Sequence, residues 1–267
     1  MTLLDDLLGD LTAEGDRLWA AVAGLDADGW ATPTPAAGWT VATQVTHLLW
    51  TDEVATIAAT DKDAWDAIVL EAIADPMGYV DAQAHEVARL APAALLARWG
   101  TARDGLKTAL TELPDGQKMP WFGPPMSAAS MATARFMETW AHALDVHDAA
   151  AAWMGLSRPQ PTDRIRHVAH LGVRTRDFAF SVHRTPPPGE EFRVDLTAPS
   201  GDLWSWGPRD ATQTVRGAAY DFCLLVTQRI HRGDTSLVAV GRDANLWLTI
   251  AQAFAGPSGE GREVRDG

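Results

Sequence analysis

Along the first two-thirds of the chain, apolar residues recur at intervals of three, four and seven. Leu4, Leu7, Leu8, Leu11, Leu18 and Val22 form one such stripe between residues 3 and about 25, the period of an amphipathic helix. The next segment, DGWATPTPAAGWT, is rich in Gly, Pro and Thr and predicts a loop. Helical spacing resumes from Val41 to about Thr60, and again over residues 79–112. Pro92 divides that last stretch, because proline lacks an N–H and clashes with the preceding turn, and LPDG closes it. Beyond MPWFGPPMS, Ser127 is placed to cap a long helix that reaches about Trp153, with Gly155 as its stop. Four long amphipathic helices joined by loops predict an antiparallel bundle.

The period then changes. SRPQPTD reads as a linker, RIRHVAHLGVRTRDFAFSVHR as a fifth helix and TPPPGEE as a break. EFRVDLTA alternates as a strand does, and LWSWG and TQTVR are short strand candidates. Residues 218–229 and 244–254 return to helix. The expected fold is α+β overall, with a helical domain over residues 1–183 and a smaller α+β domain over 184–267.

Composition narrows the chemistry. The 267 residues are 46% hydrophobic and 21% charged, an ordinary globular balance. Basic residues number 22 against 35 acidic ones, for a net charge of −13, which opposes binding to a phosphate backbone. No nucleic-acid partner is expected. The N-terminus is acidic where a signal peptide is basic, and no apolar run spans a membrane, so the expectation is a soluble cytoplasmic protein, monomeric or homodimeric. A single cysteine, Cys223, lies in the apolar string DFCLLV and is expected to be buried rather than nucleophilic. GxGxxG after a strand, the phosphate-binding GxxxxGK[ST], HExxH and GxSxG are all missing from the sequence.

A histidine and carboxylate set remains. In FMETWAHALDVHDAA, Glu138 and His142 are four apart and share a helix face, with Asp145 on the same stripe. His147 falls roughly 140° further round and faces elsewhere. His47, between Val45 and Leu48, lies close to the inward stripe of its own helix. By spacing alone these residues suit either a shared divalent ion or ordinary packing and surface contacts. His167 and His170 also have metal-like spacing, but four arginines surround them, which favours a solvated or substrate-facing stripe.

The strings GWTVATQVTHL and ETWAHALDVHDA resemble the DinB-like superfamily, and within it the mycothiol-dependent maleylpyruvate isomerase type, in an actinobacterial metal-binding subgroup. TVRGAAYDFCLLVTQRIHRGD resembles that type's C-terminal domain. The resemblance implies a metal-binding four-helix bundle with His47, Glu138 and His142 as ligands and a smaller C-terminal α+β domain. It also implies a low-molecular-weight thiol, mycothiol, as cosubstrate. Two imidazoles and a carboxylate leave coordination positions open, as catalytic zinc sites do, and Ni²⁺ and Fe²⁺ accept the same donors. Zinc is the expectation the resemblance carries. Arg229, at the close of the C-terminal helix, is the candidate catalytic clamp for an anionic substrate, and Asp145 a candidate support for a ligating imidazole. The expected activity is isomerisation, conjugation or transfer on a small electrophile; the alternative is a metal- or ligand-binding protein without turnover.

Overall fold

Hydroxyl and carboxylate caps start the first four helices. Thr2, Asp26, Thr40 and Asp61 each accept a backbone N–H three residues on, satisfying donors that the first turn leaves orphaned. They open α1 (Leu3–Val22), α2 (Ala27–Ala31), α3 (Val41–Thr60) and α4 (Lys62–Ala74). Then come α5 (Tyr79–Val87) and α6 (Pro92–Glu112), divided as expected with Pro92 at the first helical position. Ser127 accepts from Ser130 N at 3.2 Å and heads α7 (Ala128–Met154). The computed structural model describes residues 2–76, 78–154, 158–256, 258–259 and 261–264, so Gly155, the expected stop of α7, lies outside the described residues.

Helices α1, α3, α6 and α7 form the bundle: α3 packs on α6 and α7, and α1 on α7 and α6. Against α3 also lie α5 and α4, so α3 is buried on nearly every side, from Val41 through Ala58. Its Val45 and Leu48 share a core with Leu18, Trp99 and Val146. Within these helices, α4 and α2 were not anticipated: Asp61 both ends α3 and caps α4, and the short α2 overlaps the segment expected to be loop.

The chain divides into two units, Met1–Pro159 and Gln160–Gly267. Residues 160–183, expected to continue the helical domain, group by contact with the second of these units. The segment read as a fifth helix is α8 (Arg166–Arg174) and α9 (Arg176–Val182), and these pack on α10 (Ala219–Val226) and α11 (Arg242–Ile250) of the second unit. Thr175 divides α8 from α9, its hydroxyl bonding back to Leu171 O at 3.0 Å, an interaction that competes with continuing the helix.

The second unit has a four-stranded sheet in the order β2-β1-β3-β4, with β1 Arg193–Thr197, β2 Leu203–Trp206, β3 Thr214–Ala218 and β4 Val238–Val240. β1 pairs antiparallel with β2 and parallel with β3, and β3 pairs antiparallel with β4. Val194, Leu196, Trp204 and Val215 face inward. Gly172 permits close packing of α8 on α10, since a Cβ there would sit 2.9 Å from Val226. The α+β reading holds for the whole chain. Among the described residues no helix is long and apolar enough to cross a membrane.

Candidate metal centre

The site is built where α3 meets α7. His47 lies two turns into α3, and Glu138 and His142 stand one turn apart on α7. The two helices turn these three side chains to one point. Glu138 Oε2 is 3.1 Å from His142 Nε2 and 3.4 Å from His47 Nε2, and one ligand atom from each residue lies within 4.8 Å of the others. The imidazole centroids are 4.6 Å apart. Donors held at about 2.1 Å around a tetrahedral zinc stand about 3.4 Å from one another, so the spacing fits a divalent ion without rearrangement of either helix.

Side-chain exposure at the three positions is 10% for His47, 13% for His142 and 23% for Glu138. Burial would raise the Glu138 carboxyl, but hydrogen bonds and charge from His142 and His47 hold it well below the ordinary carboxylate value. Glu138 is therefore an anion, available as a ligand.

Gln44, which the sequence reading passed over, orients one of the rings. Its Nε2 donates to Thr34 Oγ1 at 2.8 Å, so its Oε1 is left to accept from His142 Nδ1–H. That bond fixes a proton on Nδ1, so that Nε2, the nitrogen facing Glu138, is the one that would exchange its proton for a metal ion. Gln44 is fully buried, three residues before His47 on α3; the helical interval from His47 is the signal that could have found it. Nδ1 of His47 is buried without a hydrogen-bond partner among the described residues. Its ring is held by packing, edge-on to Trp39 with centroids 5.4 Å apart and tilted toward Trp50 at 6.4 Å.

Trp39 covers the site. It stacks on His142 with centroids 5.8 Å apart, and the loop that carries it is anchored by Thr34 N→Trp39 O at 2.8 Å and a Pro33–Thr40 bridge. Gly38 turns the chain there at φ +77°, a region that favours glycine. Asp145, the expected imidazole support, is wholly buried further along α7. His147, predicted to face away from the site, is also buried and borders Arg17, Asp148 and Arg158.

Beside the centre, Arg135 of α7 donates to Asp52 of α3 at 2.9 Å and to Leu48 O at 3.3 Å. Trp99 Nε1 donates to the other Asp52 oxygen at 3.3 Å. This ion pair is almost wholly buried and was likewise unforeseen, although Arg135 stands at a helical interval of three from Glu138.

In the second unit, Cys223 is buried and its thiol donates to Ile165 O at 3.4 Å. Burial pushes the thiol well above its usual pKa, which removes it as a nucleophile. Arg229 follows α10, half-buried, with Nη1 donating to Thr227 O at 2.6 Å. Gln228, at φ +59°, closes α10 with N–H bonds from Gln228 to Leu225 O and from Arg229 to Leu224 O, the Schellman pattern with a side chain where glycine is usual.

The sequence model of the mycothiol maleylpyruvate isomerase N-terminal domain matches residues 11–147, a span that contains the whole centre. The chain belongs to this family. A second model, described as wyosine base formation, matches residues 188–240. Uncharacterized proteins from two strains of Mycobacterium tuberculosis, CDC 1551 and H37Rv, are each 58% identical over 255 residues, covering 96% of this chain and 97% of theirs. The crystal structure of the mycothiol-dependent maleylpyruvate isomerase, in a histidine-to-alanine mutant, superposes with a TM-score of 0.60 at 15% identity. It covers 90% of this chain and 95% of its own; the parent enzyme gives 0.58 at 14%. These structures share the fold of this chain, and the family places it among DinB-like, mycothiol isomerase-type proteins.

Proposed function

We propose that this protein is a metalloenzyme that uses a low-molecular-weight thiol, mycothiol, for isomerisation, conjugation or transfer on a small electrophile. The observation that carries this reading is the convergence of His47 Nε2, His142 Nε2 and Glu138 Oε2 at spacings that suit one divalent ion, taken to be zinc. A bound ion supplies Lewis acidity, which lowers the pKa of a thiol that reaches it. The chain's own groups do the rest. Gln44 fixes the His142 tautomer, Glu138 adds the negative charge that retains a cation, and Trp39 restricts water above the rings. Because Cys223 is withdrawn by burial, the nucleophilic sulfur comes from outside the protein. Arg229 is assigned the anionic end of the substrate on sequence grounds.

Metal analysis of the untagged protein, followed by thiol-transfer assays with mycothiol and a panel of electrophiles, tests the proposal. His47→Ala and His142→Ala are each expected to abolish stoichiometric metal while circular dichroism shows helicity retained, because the bundle core is apolar. Full metal occupancy in both variants defeats the metal assignment; occupancy with no thiol chemistry on any electrophile leaves a binding protein in its place. Arg229→Ala is expected to raise KM for anionic substrates more than for neutral ones.

A further inference from the structure

Charge is divided unequally along this chain. Residues 1–159 hold 9 basic and 22 acidic side chains, and residues 160–267 hold 13 of each, every base an arginine. The whole net charge of −13 thus belongs to the first unit. Screening confines such charge to about 8–10 Å at physiological salt, so anion binding in the second unit is decided locally.

One face of α8 gathers cations there. Arg166, His170 and Arg174 follow at intervals of four, all exposed, about 6 Å apart along the axis. Arg176 and Arg193 nearby in sequence pair with Asp177 and Asp195, whereas Arg166 and Arg174 have no carboxylate partner among the described residues. Strand β2 runs beside this face. The Arg166 guanidinium lies over the Trp204 ring, 5.8 Å from its centroid, and Trp206 Nε1 donates to His170 Nδ1 at 3.3 Å. With Nδ1 accepting, His170 keeps its proton on Nε2 as a further donor. Partial desolvation of the exposed ring, then the charges of Arg174, His167 and Arg166, hold this imidazole below its usual range. Trp206 is only partly buried, which leaves indole surface beside the donors.

We propose that the α8–β2 face, formed by Arg166, His170, Arg174 and Trp206, is a binding site for a nucleotide. Two guanidiniums and an N–H donor with no acceptor among them match the several oxygens of a phosphate monoester. The indole matches a planar base, which stacks on aromatic rings. The site lies in the second unit and does not depend on the metal centre.

Calorimetric titration of the full chain at fixed ionic strength, with AMP, inorganic phosphate and a short single-stranded RNA, tests it. AMP is expected to bind saturably at one site, with inorganic phosphate at least tenfold weaker. Arg166→Ala and Arg174→Ala should each weaken AMP by roughly tenfold or more, the loss expected for a charge-assisted bond. Trp206→Leu should reduce AMP to the affinity of phosphate. Both arginines are exposed, so these variants are expected to fold, and circular dichroism checks that they do. Absence of AMP binding, or affinity unchanged in both arginine variants, overturns the proposal. So does phosphate binding as tightly as AMP, which marks a simple anion site, or RNA binding without AMP binding, which marks a surface that follows a backbone.

Discussion

Gln44 shows how much one uncharged side chain can decide. Its amide is oriented by Thr34 and in turn sets which nitrogen of His142 faces Glu138. Gln44→Ala is expected to lower metal affinity by about 10–100-fold, the usual cost of losing a partner behind a ligating histidine, with both imidazoles and Glu138 still in place; competition with a chromogenic chelator measures it. His147 offers a second test at the same scale. Burial, then the charge of Arg17, holds its imidazole below its usual range. The folded state therefore resists protonation while the unfolded chain takes up a proton near pH 6.5. Stability from this group is complete above that pH and declines as pH falls toward the folded-state value. Denaturant titrations across pH 5–7 are expected to show a shallower acid-side loss in His147→Leu than in the parent. An equal slope in both would remove His147 as the cause.

At the scale of elements, α3 and α7 carry both the candidate centre and the Asp52–Arg135 pair. Removing one member of a buried pair strands the other charge, at a typical cost of 3–5 kcal/mol. Asp52→Ala is expected to lose about that much in chemical denaturation, and Asp52→Leu with Arg135→Met to recover most of it. Legibility in the sequence follows the same elements. Pro92, the GWT turn and Ser127 are local signals with a fixed steric or hydrogen-bonding meaning, and the helices they bound appear where they predict. His47, Glu138 and His142 were legible through helical spacing and the family strings around them. Asp61, by contrast, ends one helix and caps the next with no connecting loop, so α4 was hidden. β4 is three residues long, Val238–Val240, and exists through its pairing with β3, a non-local fact. The parallel pairing of β1 with β3 is of the same kind. Arg135 and Asp52 are charged residues at positions that reward apolar ones, and only their mutual contact across two helices explains them.

For the molecule as a whole, two units share little in their chemistry. The first is acidic, helical and built around a polar point inside an apolar bundle; the second is electrically neutral and arginine-rich around a small sheet. The family match, residues 11–147, falls within the first of these, as does the candidate centre. Within it, Glu138 and His142 belong to one turn of one helix, and only His47 comes from another. The gap between His47 and the other two therefore has a single mechanical coordinate, the separation of α3 from α7. Ala143 is buried in the core that these helices share, and a larger side chain there acts as a wedge. Ala143→Val is expected to widen the gap and shift preference from zinc toward ions that take longer bonds, readable by competition between zinc and manganese for the purified apoprotein. Under the proposed function, choice of metal becomes a property of helix spacing, adjustable without touching a ligand.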